Sequence, residues 1–232
     1  MKKLLVFTIV LCLGCAAWAS NKGDVQDRLD NAAKVLQQIQ AAPDTGIPDE
    51  ILAKSRCIAV VPHMIKAGLG IGGEHGKGVM TCRTSNGWSA PSFFTVTGGS
   101  WGLQIGGEAV DLVMLAMNDK GMQQLLNSKV ELGGDASVAA GPVGRHASAD
   151  TDVKLNAEIL SYSRTKGAFA GIALKGSVLR EDKDSTQSYY GRDYTNQTLL
   201  TGKVPPPAGA QAFLNTVSHA KAVAVNKEGK SE

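Results

Sequence analysis

The feature that most constrains the fold of this chain is a glycine-rich stretch between Gly68 and Gly107. Glycine makes up 27 of the 232 residues, and within this stretch small residues alternate with bulky ones. Glycine costs roughly 1 kcal/mol in the interior of a helix, whereas alternation with a period of two is typical of a strand. The stretch therefore predicts β structure interrupted by glycine and argues against a helix bundle.

Helical patterns lie on both sides of this stretch. Apolar residues recur at helical spacing over 24–42 and form one stripe, which consists of Val25, Leu29, Ala32, Leu36 and Ile39. Pro48 begins a short helix that ends near Lys54. Asn118 caps another helix, and a last helix spans 208–225. The chain is therefore expected to have helices before, between and after its strands.

Short apolar or alternating runs predict the strands, which are expected at 57–61, 78–83, 88–97, 101–105, 109–117, 129–132, 136–140, 153–163 and 167–178. Asn86 and Gly87 provide the turn signal of a β-hairpin between the second and third of them. Helices combined with many short strands predict an α+β fold. We expect a single domain in which a curved, antiparallel, glycine-rich sheet is flanked by helices.

The first nineteen residues have the pattern of a secretory signal peptide. Two lysines precede an apolar stretch of about ten residues, which is too short to span a bilayer. The run Ala17-Trp18-Ala19 then offers a cleavage site of the A-x-A type. We expect a periplasmic or secreted protein cleaved near Ala19. The alternative is a lipoprotein anchored through Cys15, because Leu13-Gly14-Cys15 resembles the end of a bacterial lipobox.

Cys57 and Cys82 are the two cysteines that remain after cleavage near Ala19. An even number of cysteines in an exported chain suggests one disulfide, and the alternative is a pair of buried thiols. Neither cysteine lies in a CxxC or HxxxH pattern, so the sequence predicts no metal site.

The charge balance excludes a general polyanion binder. The formal net charge is +3, and it falls to +1 once the two lysines of the signal peptide are removed. Nucleic acid is therefore not an expected partner. Gly68, Gly70 and Gly73 match a dinucleotide-binding fingerprint, but the residues after them predict a strand where the fingerprint requires a helix. We expect no cofactor.

Ser100 lies in a G-x-S-x-G match, the pattern of a hydrolase nucleophile elbow. The elbow places its serine on a sharp turn from a strand into a helix, and the residues after Ser100 are not helical in pattern. A serine hydrolase acting through Ser100 is therefore an alternative. The main prediction is a protein that is not an enzyme and has no catalytic residues.

Several runs carry a family resemblance, among them Cys57-Ile58-Ala59-Val60-Val61-Pro62, Gly87-Trp88-Ser89-Ala90-Pro91, Gly98-Gly99-Ser100-Trp101-Gly102, Gly141-Pro142-Val143-Gly144-Arg145, Lys166-Gly167-Ala168-Phe169 and Tyr189-Tyr190-Gly191. From Ile47 to about Leu200 the chain resembles the SYLF domain family of lipid-binding proteins. This resemblance implies membrane phospholipid as the partner, with phosphoinositides bound by eukaryotic members. It also implies no known catalysis, and actin-related roles in some fungal members.

The resemblance and the signal peptide together suggest an exported bacterial member with four parts. These are the signal peptide at 1–19, an amphipathic helix at 20–46, a SYLF-like lipid-binding domain at 47–202, and a proline-rich linker with a helix and tail at 203–232. Cytoplasmic actin is not an expected partner of an exported chain.

Basic residues of the SYLF-like region are the candidate contacts for lipid headgroups. They are Lys66, Lys77, Arg83, Arg145, Arg164, Lys166 and Lys175. Arg145, Arg164 and Lys166 are the most economical trio, because each is predicted to lie in or beside a turn that could present it to an anion.

A further alternative is a structural or interaction protein of the envelope. It would use the apolar stripe of the first helix to dock a helix of another envelope protein. Packing into the core of the same chain is the commoner role of such a stripe.

Overall fold

The structure is a computed structural model that describes residues 22–39, 41, 46–144, 157–165 and 168–228. The expected signal peptide, the lipobox alternative, Arg145 and Lys166 lie outside the described residues. The same holds for the first part of the strand predicted at 153–163.

The helices of the described residues are α1 at 22–39, α2 at Asp49–Lys54, α3 at Asp119–Leu125, α4 at Lys183–Tyr190, α5 at Asn196–Leu200 and α6 at Gln211–Glu228, which follows a short 3-10 helix at Ala208–Ala210. The predicted cap of α3 is confirmed, because the Asn118 side chain accepts a hydrogen bond from the backbone N–H of Gly121. Asp182 and Thr195 cap α4 and α5 in the same way.

The strands are β1 at Cys57–Thr84, β2 at Gly87–Trp88, β3 at Ser92–Ala116, β4 at Lys129–Glu131, β5 at Val138–Ala140, β6 at Ile159–Thr165, β7 at Ala168–Gly171 and β8 at Val178–Glu181. Within the described part of the chain they form one sheet. All pairings are antiparallel except that of β5 with β6, which is parallel. The predicted single α+β domain is confirmed, with one parallel pair in a sheet expected to be antiparallel.

Two strands are much longer than predicted. The separate strands expected between 57 and 83 are one strand, β1, and those expected between 88 and 117 are largely one strand, β3. Pro62 does not end β1, because a register shift between Val61 and Met64 leaves the proline outside the ladder. The strand predicted at 167–178 is in fact divided into β7 and β8, with a positive φ of 88° at Gly176 before β8.

The long hairpin of β1 and β3, called the ribbon below, folds back on itself. Cys57 and Cys82, near opposite ends of β1, have Cα atoms 4.0 Å apart. A Cβ atom added to Gly78 would lie 2.9 Å from the backbone oxygen of Val60, so the two halves of β1 are in close contact there. The absence of a Cβ at Gly78 is therefore a condition for this fold-back.

The helices cover one face of the folded ribbon. Leu29 of α1, Phe213 of α6 and Phe93 of β3 are each no more than 1% exposed and belong to one apolar cluster. A second cluster, which includes Met64 and Leu112, lies among the strands. The whole apolar stripe of α1 is buried in the first cluster, so it is not available to a partner helix.

Candidate functional site

An open groove of about 420 Å³ lies between α1 and the ribbon. Its lining combines polar and charged residues of both signs with two apolar side chains, those of Pro62 and Ile65. The lining residues are Asp24, Asp27, Arg28, Asn31, Pro62, His63, Ile65, His75, Gly76 and Lys77. Each wall comes from a single element, since the first four residues belong to α1 and the rest to β1. The groove exists because β1 folds back and brings positions 62–65 beside positions 75–77.

A buried ion pair fixes the α1 wall. The Arg28 Nη1 atom lies 3.1 Å from Asp182 Oδ2, and each side chain is 8% exposed. Arg28 also donates to Ser185 Oγ, and the Ser185 hydroxyl lies 2.6 Å from the same carboxylate oxygen. Because Asp182 caps α4, this network ties α1 to the start of α4.

The network sets the pKa of both partners. Burial lowers the pKa of Arg28 below its ordinary value, although the nearby charges of Asp182 and Asp24 oppose this. Burial also tends to raise the pKa of Asp182, but hydrogen bonds from Ser185 and the charge of Arg28 lower it by more. Arg28 therefore stabilises the fold through Asp182 and Ser185, and its charge is not available to a ligand.

A strained turn in β1 forms the opposite wall. His63 has a positive φ of 53°, which is uncommon for a residue other than glycine. Its backbone N–H donates to Asp111 Oδ1 at 3.0 Å, and Arg164 donates to Asp111 Oδ2 at 2.8 Å. Asp111 thus holds the turn, and the His63 side chain is exposed at the groove.

The remaining charges of the groove are open to solvent. Asp24, Asp27 and Lys77 are exposed, and none of them makes an ion pair with another described residue. His63 and His75 are exposed beside them. The groove therefore presents one lysine, two imidazoles and two carboxylates, groups that can contact both a phosphate and an ammonium.

Two of the predicted headgroup contacts are engaged in ion pairs. Lys66 Nζ lies 3.7 Å from Glu74 Oε2, and Arg164 makes two hydrogen bonds to the Asp111 carboxylate. The Arg164 guanidinium also lies over the Phe169 ring, 5.9 Å from its centre. Both cations already have a counter-charge within the protein, which leaves less of their charge available to a headgroup.

The other predicted contacts are scattered. Lys77 lines the groove, while Arg83 stacks over the Trp88 ring near the hairpin turn, 5.5 Å from the ring centre. Lys175 is exposed in the segment before β8. Arg145 and Lys166 lie outside the described residues, so the proposed trio with Arg164 stays a prediction.

A buried carboxylate lies where the ribbon bends. Glu74 is 8% exposed, and it accepts a hydrogen bond from the Ser177 hydroxyl in addition to its contact with Lys66. A Cβ atom added to Gly98 would lie 2.7 Å from Ser177 Oγ, so these side chains cover that glycine. Glu74 thus joins both strands of the ribbon to the segment before β8.

Sequence reasoning missed most of the groove. In the sequence, Asp24 and Asp27 lie among the charged residues of the first predicted helix, and His63 and His75 match no ligand spacing. Their proximity depends on the fold-back of β1, which no local pattern indicates. The one local hint is that His63 and His75 flank the glycine run Gly68–Gly73.

The described residues contain few features of a catalytic site. Ser100 lies inside β3, opposite Gly72, so its backbone does not form the strand-to-helix turn of a nucleophile elbow. No group of three or more His, Cys, Asp or Glu side chains in the described ranges could hold a metal ion.

None of the helices described is long and apolar enough to cross a membrane. Cys57 and Cys82 form a disulfide.

The chain is similar to known proteins over most of its length. A model of the Ysc84 family, described as Las17-binding protein actin regulator, matches residues 97–220. SH3 domain-containing YSC84-like protein 1 of Homo sapiens is 32% identical over 195 residues, which are 81% of this chain and 57% of that protein. The Xenopus laevis protein of the same name is 35% identical over 188 residues, or 78% of this chain and 56% of that protein.

Protein YSC84 of Saccharomyces cerevisiae is 33% identical over 193 residues, which cover 79% of this chain and 41% of the yeast protein. The chain thus spans between 41% and 57% of the length of these relatives. The extent of these matches agrees with the resemblance carried by the sequence motifs. The chain belongs to the Ysc84 family, which is the SYLF domain family.

Proposed function

We propose that this chain is an exported, non-enzymatic lipid-binding protein that holds a membrane phospholipid by its headgroup. The observation that carries the proposal is the groove between α1 and the ribbon, in which exposed groups of opposite charge lie beside the exposed apolar residue Ile65. A phospholipid likewise has the charged groups of its headgroup beside its apolar acyl chains.

The groove offers a partner to each part of a zwitterionic headgroup. Lys77 can bind a phosphate, and a ring N–H of His63 or His75 can donate a hydrogen bond to it. Asp24 and Asp27 can accept from an ammonium group. The two carboxylates make a purely anionic headgroup a poorer fit, since they would repel it.

The family description names actin regulation and Las17 binding, and these are statements about the relatives. We propose that lipid binding, and not actin regulation, is the activity of this chain, because its first residues are typical of an exported protein. The buried stripe of α1 gives no support to docking of a partner helix.

Vesicle flotation with charge variants tests the proposal. Lys77→Gln should weaken binding about fivefold, both to zwitterionic vesicles of phosphatidylethanolamine and to anionic vesicles of phosphatidylglycerol. The reason is that one basic residue near a membrane contributes about 1 kcal/mol. Asp27→Asn should weaken binding to the zwitterionic vesicles only. Lys54→Gln, which removes an exposed lysine of α2 outside the groove, is the matched control and should leave binding unchanged.

Equal behaviour of Lys77→Gln and Lys54→Gln would overturn the groove as the headgroup site. An unaltered protein that does not float with either type of vesicle would overturn the proposed function itself.

A further inference from the structure

We infer that the sheet surface beside the groove is a second membrane contact, which binds the phosphates of anionic phospholipids. The contact is a line of four side chains, called the basic row below, which consists of Lys77, Thr95, Arg180 and Lys129. The inference rests on the proposed function and goes beyond it, because three of these residues lie outside the groove.

Strand register aligns the basic row. Lys77 of β1 pairs with Thr95 of β3, and Thr95 pairs on its other side with Arg180 of β8. Arg180 in turn pairs with Lys129 of β4. Residues that lie directly opposite each other in neighbouring strands have their side chains on the same face of the sheet. The basic row therefore crosses four strands and, at about 4.8 Å between neighbouring strands, is about 14 Å long.

The opposite face of these strands packs into the core. Val96 pairs with Leu179 and Leu179 with Val130, and all three are no more than 3% exposed and belong to the second apolar cluster. Because successive residues of a strand point to opposite faces, burial of these side chains directs the basic row outward. The basic row accordingly has three exposed cations and a half-buried threonine. Phe93, two residues before Thr95, is covered by α1 and α4, so the basic row lies just beyond the edge of the helical layer.

The described residues do not neutralise the cations of the basic row. Lys77, Arg180 and Lys129 make no ion pair with another residue of the described ranges. Four other arginines, by contrast, have an acidic or aromatic partner, and these are Arg28, Arg56, Arg83 and Arg164. The charge of the basic row is therefore available to an anion from outside the chain.

Carboxylates lie near both ends of the basic row. Glu131 pairs with Val178, two residues along the strands from Lys129 and Arg180. The carboxyl carbon of Glu131 would lie 3.3 Å from a Cβ atom added to Gly134, so this side chain leans toward the turn that follows β4. At the other end, Lys77 shares the groove with two aspartates. The positive charge is therefore strongest at the neighbouring pair Arg180 and Lys129.

The arrangement fits a bilayer surface better than one small anion. A phosphate oxygen accepts hydrogen bonds at about 3 Å, so a single phosphate contacts only part of a row about 14 Å long. The row begins at Lys77 in the groove, and a bilayer with one lipid in the groove would bring neighbouring headgroups to Arg180 and Lys129. Thr95 and Arg180 can also donate hydrogen bonds to phosphate. The net charge of +1 after removal of the signal peptide gives no general attraction to nucleic acid.

The basic row predicts a lipid preference that the groove does not. Asp24 and Asp27 of the groove repel an anionic headgroup, whereas Arg180 and Lys129 attract one. Binding should therefore strengthen as the anionic fraction of a bilayer rises.

Removal of two charges tests the basic row. Arg180→Gln/Lys129→Gln takes them from the row, and Lys120→Gln/Arg192→Gln takes one lysine and one arginine from exposed positions outside it. Both proteins, without residues 1–19, are floated with vesicles in which phosphatidylglycerol replaces phosphatidylethanolamine stepwise. On vesicles rich in phosphatidylglycerol, Arg180→Gln/Lys129→Gln should bind about thirtyfold more weakly than the control, because each basic residue contributes about 1 kcal/mol. On phosphatidylethanolamine alone the two proteins should bind alike.

Two further measurements separate charge from structure. Arg180→Lys/Lys129→Arg keeps both charges and should bind as the unaltered protein does. Added salt should weaken the binding of the unaltered protein to phosphatidylglycerol more than that of Arg180→Gln/Lys129→Gln. Near-ultraviolet circular dichroism checks that each variant is folded.

Equal binding of Arg180→Gln/Lys129→Gln and Lys120→Gln/Arg192→Gln to phosphatidylglycerol vesicles would overturn the basic row as a contact. It would leave the groove intact, which Lys77→Gln tests separately. A difference between the two proteins for a DNA duplex, with none for the vesicles, would overturn the bilayer as the occupant. Failure of the unaltered protein to bind vesicles would overturn both proposals.

Discussion

Replacing Arg28 by methionine should destabilise the protein strongly. Methionine can fill the volume of the arginine stem, but the variant leaves the Asp182 carboxylate buried without its counter-charge. Removing one partner of a buried ion pair lowers the free energy of unfolding by about 3–5 kcal/mol. The hydrogen bonds from Ser185 to Asp182 remain in the variant, so we expect the lower half of that range.

Urea unfolding followed by circular dichroism measures this free energy, and Arg56→Met is the matched control. Arg56 lies 3.2 Å from Asp119, but these side chains are 48% and 76% exposed. Exposed pairs contribute less than about 1 kcal/mol. The double variant Arg28→Met/Asp182→Asn should be more stable than the sum of the two single effects, because the unpaired charge is gone.

The pH dependence of the free energy of unfolding tests the same ion pair of Arg28 with Asp182. The pKa of Asp182 is lowered in the folded protein, so its ionised form stabilises the fold above the pKa of the unfolded chain, near pH 4. This stabilisation is lost as the pH falls through the folded pKa. In Arg28→Met the loss of stability on acidification should be smaller. Equal unfolding free energies for Arg28→Met and Arg56→Met would refute the reasoning.

Three further predictions concern the fold. Reduction of the Cys57–Cys82 disulfide should lower the free energy of unfolding by about 3–4 kcal/mol, measured in urea with and without reductant. Gly141→Ala should lower it by about 1–3 kcal/mol, because a Cβ there would lie 2.0 Å from the Tyr162 ring. Burial and the nearby Asp30 raise the pKa of Tyr189 to about 12, so stability should fall between about pH 10 and 12 and recover in part in Tyr189→Phe.

Each of these has a control or a contrary outcome. An unchanged urea midpoint in reductant would contradict the role of the disulfide. Gly23→Ala, where a Cβ would meet nothing within 4 Å, should not destabilise the protein. Tyr189→Phe with the same loss of stability in alkali as the unaltered protein would contradict the burial argument for Tyr189.

Local patterns predicted the local structure well. The stripe from Val25 to Ile39 predicted α1, Asn118 predicted the start of α3, and Asn86-Gly87 predicted the hairpin turn between β1 and β2. These features depend on contacts within a few residues, which hydrophobic period and capping chemistry describe.

Long-range contacts could not be predicted in the same way. The glycine run suggested a curved sheet, but nothing local indicates that Lys66 meets Glu74 or that His63 and His75 share a groove. Likewise the run of prolines at 205–207 gives no sign that Phe213 after it is fully buried. The candidate headgroup contacts rest on charge and on predicted turns, and neither reveals that Arg164 already has Asp111 as its partner.

The central proposal is that this member of the Ysc84 family binds a phospholipid membrane through the groove between α1 and the ribbon. The most direct measurement is flotation of the protein without its predicted signal peptide, residues 1–19, with phosphatidylethanolamine vesicles and with phosphatidylglycerol vesicles. We expect the protein to rise with the vesicles, and we expect Lys77→Gln to leave a larger share of it at the bottom of the gradient than Lys54→Gln does. A protein that stays at the bottom without any substitution, or equal flotation of Lys77→Gln and Lys54→Gln, would contradict this proposal.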